Sequence, residues 1–208
     1  MISFFKNTLR SLLSPFRRQI VIPSYDYKRG EIEKYKNLFN LDILVETGTF
    51  LGDTVAHFES KFDHIYSIEL SEELATKAKE RFRENPKVSI IQGDSGIVLR
   101  ELTPKLTRPC LFWLDGHYSS EFFVGDEYII TAKGDLNTPI ISELRCILES
   151  PLNHVILIDD ARLFVDKYDY PSLNEVKSLV GQFKKAYQYF VLNDIIYLIP
   201  ECLPSLEN

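Results

Sequence analysis

The chain has 208 residues, a net charge of −6, and 45% hydrophobic and 26% charged residues. That length suits one α/β domain with a sizeable core rather than two, and the ordinary composition excludes extended disorder. The acidic balance, with no basic face in the body of the chain, argues against a nucleic-acid partner, and the widely spaced Cys110, Cys146 and Cys202 argue against a disulfide framework or zinc site and for the reducing cytoplasm.

Residues 1–25 carry Lys6, Arg10, Arg17 and Arg18 and no acid, while Ile2, Phe5, Leu9, Leu12, Leu13 and Phe16 recur at helical spacing. The charges interrupt any membrane-spanning run, which leaves two readings. Residues 1–20 lie on a membrane surface as a peripheral anchor, or they pack on their own domain or on a second copy in a homodimer. Residues 28–39 predict a short helix, so residues 1–39 form an N-terminal helical extension and 40–208 the main domain.

The segment Leu44–Phe58 reads as strand, glycine turn and helix: an apolar run reaches Glu46, turns through Gly48 and Gly52, and continues in Val55, Ala56 and Phe58. Such a turn is expected to bring backbone N–H groups and a helix end close to a ligand. His64–Glu69 is a second strand ending in an acid, and Ser71 caps a helix with Glu72 and Glu73 in its first turn and Leu74, Ala78 and Phe82 on its buried stripe. Lys87–Gln92 is a third strand, followed by Gly93-Asp94-Ser95 and a helix to about residue 102. Cys110–Leu114 is a strand apolar on both faces, ending in Asp115-Gly116-His117.

From His117 to Asn137 an irregular segment is long enough to act as a loop or lid, and Tyr118–Asn137 is expected to shape the pocket of a small-molecule acceptor. Thr138-Pro139 opens a helix, His154–Ile158 is a buried strand running into Asp159-Asp160, and Ser172 with Glu175 has capping-box spacing. Tyr187–Leu192, the turn pair Asn193-Asp194 and Ile195–Ile199 form a closing hairpin. Alternating strands and helices imply a Rossmann-like, doubly wound α/β sheet, which binds ligands beyond the carboxyl ends of its strands. Glu46, Glu69, Asp94, Asp115 and Asp159-Asp160 are all expected at that edge.

These residues resemble the class I S-adenosylmethionine-dependent methyltransferases over about residues 40–200. The resemblance implies a sheet of seven strands whose last strand is antiparallel, and S-adenosylmethionine as cofactor. Glu46, Gly48, Thr49 and Gly52 match the motif beside the methionine part of the cofactor. Glu69 matches the acid that accepts from both ribose hydroxyls, and Asp94 and Ser95 match the adenine contacts, with Asp94 as a plain helix cap the other reading. Asp115 closes that cofactor set. A narrower likeness, to the metal-dependent macrocin-type sugar and macrolide O-methyltransferases, implies a divalent cation, Mg²⁺ first, held by Asp115, Asp159 and Asp160, with a turn-forming pair at a strand end the other reading of Asp159-Asp160. His117 stands where that group has an Asp proposed as base, so the resemblance implies a catalytic role for it, with a plain loop residue the other reading. The function implied is methyl transfer to a hydroxyl of a sugar or related small molecule. A catalytically silent binding module of the same fold and a nicotinamide-dependent oxidoreductase are the rivals; the missing third glycine and the lack of a Tyr-x-x-x-Lys pair count against the oxidoreductase.

Overall fold

The computed structural model describes residues 22–116, 121–124, 127–130, 134 and 137–201. The N-terminal stretch 1–20, His117 and Cys202 lie outside the described residues. Helix α1 (Tyr25–Leu38) starts three residues before the sequence expectation because Ser24 caps it, its Oγ accepting from the Tyr27 N–H at 3.2 Å. Ile32, Tyr35 and Phe39 recur on one face and are buried against the sheet.

The chain then alternates strictly: β1 (Ile43–Thr47), α2 (Asp53–Phe58), β2 (His64–Glu69), α3 (Glu72–Arg81), β3 (Val88–Gln92), α4 (Ser95–Leu102) and β4 (Leu111–Leu114). After a short excursion come α5 (Ile140–Glu149), β7 (Val155–Ile158), α6 (Leu173–Gly181), β8 (Tyr187–Leu192) and β9 (Ile195–Pro200). Seven strands pair in the order β3-β2-β1-β4-β7-β9-β8. The first five run parallel, and β9 inserts antiparallel between β7 and β8. The closing hairpin turns at Asn193 and Asp194, both at positive φ (45° and 62°), as the two-residue turn requires. Capping by Ser71, and the reciprocal Ser172–Glu175 capping box, form as expected.

The excursion departs from expectation. The segment read as irregular contains a two-stranded antiparallel hairpin, β5 (Glu121–Val124) with β6 (Glu127–Ile130), separate from the main sheet. The sequence carried a cue, since two β-prone runs flank the turn-forming pair Gly125-Asp126.

Register divides the core between the two faces of the sheet. Val45, Phe112, Ile156 and Leu198 are successive cross-strand partners and pack with α4, α5 and α6. Leu44, Leu111 and Val155 point the other way, into a cluster with α1 and α2. Strand order reverses between β1 and its neighbour β4, which opens a crevice at their carboxyl ends.

Candidate functional site

The β1 end sits on that switch point, and its geometry differs from the expected ligand cradle. Gly48 has φ +85°, and a Cβ there would lie 2.5 Å from the Asp115 carbonyl oxygen. At Gly52, φ +81°, a Cβ would lie 2.8 Å from the Phe82 ring. Both glycines are thus required by the left-handed backbone and by neighbouring protein atoms. Four N–H groups of the turn are used inside the protein. Those of Gly48 and Thr49 donate to the Ile68 carbonyl (2.9 and 3.2 Å), that of Gly52 to the Thr49 carbonyl (2.8 Å), and that of Phe50 to Glu69 Oε2 (2.8 Å).

Glu69 ends β2 almost fully buried, and its other oxygen accepts from the Ser71 N–H at 2.9 Å. The carboxylate is therefore fixed by one backbone donor on each oxygen, and each oxygen keeps acceptor capacity in hand. Glu46 lies opposite Ser67 in the β1–β2 register. Ser67 Oγ donates to Glu46 Oε2 at 2.5 Å, and the Thr49 hydroxyl lies 2.6 Å from Ser67 Oγ, completing a buried chain. Burial pushes the Glu46 carboxyl up to about 8; the Ser67 hydroxyl opposes this, and the charge of Asp115 adds to it.

Asp94 is the N-cap of α4, its Oδ1 accepting from the Ile97 N–H at 3.1 Å, and the next residue, Ser95, is buried. The cap reading of Asp94 is thus realised, at the same sheet edge as Glu69. A cavity of about 460 Å³ lies beside it, lined among others by Gln92, Asp94, Ile97 and Lys105.

Asp115 follows β4, its N–H donating to the Thr47 carbonyl at 3.1 Å, while the Asp159 N–H donates to the Leu114 carbonyl at 3.0 Å. Backbone bonds thus fix the ends of β1, β4 and β7 side by side. Asp159 and Asp160 are both buried, and cations already hold them. Lys28 of α1 hydrogen-bonds Asp159 Oδ2 and lies 3.9 Å from Asp160 Oδ1. Arg162 contacts Asp160 Oδ1 at 2.6 Å and also bonds Asp194. Burial lowers the pKa of the Lys28 ammonium, but the Asp159 hydrogen bond and the charges of Asp159, Asp115 and Asp160 outweigh it, so the net direction is upward.

This arrangement does not fit the expected metal centre. An ammonium sits against the two carboxylates that were to hold the cation, and among the described residues no group of three or more His, Cys, Asp or Glu is placed to hold a metal ion. Lys28 went unrecognised in the sequence, although it lies four residues before Ile32 and so interrupts an apolar helical stripe with a charge. Ser67, the polar residue inside an apolar strand, is the other contributor that the motif reading passed over.

The sequence matches no known family model and no curated protein. Solved structures do match. The O-methyltransferase TomG from Streptomyces achromogenes, solved with SAM, is similar at a TM-score of 0.58 and 15% identity, over 86% of this chain and 82% of that one. An O-methyltransferase from Bacillus cereus solved with SAH gives 0.59 and 11%, over 94% and 88%. The fold is that of the class I methyltransferases. The 23S rRNA methyltransferase ErmE shares it at 0.53 and 14%, over 90% and 72% of the two chains, so the methyltransferase fold leaves the acceptor to the site.

Proposed function

We propose that this protein is an S-adenosylmethionine-dependent O-methyltransferase acting on a hydroxyl of a sugar or related small molecule. The observation that carries the donor is the charge and hydrogen-bond layout at the β1–β2 end. A pyrophosphate-binding turn presents free N–H groups and a positive helix end. Here four N–H groups of the turn are used internally, one of them, that of Phe50, by the buried Glu69 carboxylate. That environment repels a dinucleotide and suits a ligand with a cationic sulfonium and ammonium. Glu69, with acceptor capacity on both oxygens, suits the ribose diol. The nicotinamide reading is disfavoured on the same grounds.

When bound, the donor supplies an electrophilic methyl group for in-line displacement by the acceptor oxygen. The chain's own tasks are to fix the donor against the β1 turn, to orient the acceptor, and to take its proton. In this reading His117, two residues beyond Asp115, is the base. A divalent cation has no place in this reaction, because Lys28 holds the carboxylates that would bind it. TomG and the Bacillus cereus enzyme, both O-methyltransferases, support oxygen as the acceptor atom.

Calorimetry tests the donor. S-adenosylhomocysteine is expected to bind and NAD⁺ not to, and Glu69→Ala, with folding verified by circular dichroism, should lose roughly 1.5–3 kcal/mol, about ten- to a hundredfold in Kd. Tight NAD⁺ binding, or equal S-adenosylhomocysteine binding by wild type and variant, would remove the assignment.

A further inference from the structure

We infer that Lys28 is the resident cation of the Asp159–Asp160 strand end, so that the protein takes no divalent metal there and the crevice is completed by helix α1. Three observations meet at this side chain. Lys28 lies on the buried face of α1, four residues before Ile32 and seven before Tyr35, so packing of that stripe against the sheet delivers its stem to the β7 end. Its ammonium hydrogen-bonds Asp159, a carboxylate with almost no exposure, and lies within ion-pair distance of Asp160. Asp160 is further held by Arg162, which also bonds Asp194. The described charged groups facing the cluster are therefore Asp115, Asp159, Asp160, Asp194, Lys28 and Arg162.

Asp159 also accepts the Asp160 N–H through Oδ1 at 2.8 Å, which fixes its carboxylate against the ammonium. A divalent ion entering this seat would have to displace the ammonium and leave it buried without its partner, a costly exchange. The ion pair also crosses from residue 28 to residue 159, tying α1 to the sheet at the crevice.

Mn²⁺ titration followed by electron paramagnetic resonance and thermal unfolding decides the point without an acceptor substrate. Wild type is expected to show neither saturable Mn²⁺ binding nor a Mn²⁺-dependent Tm. Lys28→Met uncovers the carboxylates, lowering Tm by about 10 °C, and gains Mn²⁺ binding that restores part of the loss. Lys28→Met/Asp159→Asn, which removes both charges, recovers Tm without metal, and it serves as the test if the single variant does not fold. Stoichiometric Mn²⁺ binding by wild type that Asp159→Asn abolishes would overturn the inference. So would a Lys28→Met that stays folded and blind to Mn²⁺, or a double variant no more stable than the single one.

Discussion

Replacing Glu46 by Gln should make the protein more stable above neutral pH and flatten part of its pH dependence. In the folded chain the Glu46 carboxyl is pushed up to about 8 by burial, against an ordinary value of 4.5. A group with a raised folded pKa binds its proton more tightly when folded, so its contribution is fully present below 4.5 and is lost as pH rises toward 8. The loss runs at about 1.4 kcal/mol per pH unit, which accumulates to about 3 kcal/mol by pH 7. Gln keeps the shape and an oxygen to accept from Ser67, and it carries no charge at any of these pH values. Urea unfolding of both proteins at pH 5, 6, 7 and 8 gives the stability difference, in which the other titrating groups cancel. The expected difference grows by about 1 kcal/mol or more per pH unit in favour of Glu46→Gln. A difference independent of pH would show that Glu46 ionises normally and would refute the reasoning.

Other consequences follow from the same geometry. Binding of S-adenosylhomocysteine at pH 7 brings an ammonium toward a mostly protonated Glu46, so calorimetry in buffers of different ionisation enthalpy should register proton release that Glu46→Gln lacks. His154 is buried with its Nδ1 accepting from the Cys110 N–H, and burial holds it down to about 3; its stability contribution is present above 6.5 and lost as pH falls, by about 2 kcal/mol at pH 5, and His154→Asn should remove that limb from the urea midpoint. Gly48→Ala combines a positive φ with a Cβ 2.5 Å from the Asp115 carbonyl and should cost about 3 kcal/mol or more by chemical denaturation, whereas Gly30→Ala, on α1 with open space around it, should be neutral or stabilising. Ile32→Ala should cost about 2–5 kcal/mol, since Ile32 is fully buried between α1 and the sheet.

The order and type of the main-sheet elements were legible because each signal was local. The apolar strand Cys110–Leu114, the capping box at Ser172 and the turn pair Asn193-Asp194 declare themselves within a few residues, and the acids at the strand ends follow from parallel topology. The site's chemistry was less legible because it depends on contacts distant in sequence. Nothing near Asp159 announces that its partner is Lys28, 131 residues away, and acids alone suggest a metal where the fold supplies an ammonium. The roles of Gly48 and Gly52 were likewise set by Asp115 and Phe82, which only the folded chain brings against them.

The carboxylates at the sheet edge are neutralised in two different ways, and that difference bears on where a cationic ligand belongs. At the β4–β7 side, Asp159 and Asp160 are answered by full charges on Lys28 and Arg162. At the β1–β2 side, Glu46 is mostly protonated at neutral pH and bonded by Ser67, while Glu69 is held by backbone N–H groups, which orient a carboxylate without cancelling its charge. An incoming cation gains most where negative charge is fixed and uncompensated, and least where displacing an existing ammonium is the condition of entry. On the proposed function, the β1–β2 end with the Glu69 carboxylate is the seat for a sulfonium and ammonium, and Glu46 gives up its proton as such a ligand binds. The β7 end, closed by α1, is a fixed wall against which the rest of the crevice is shaped.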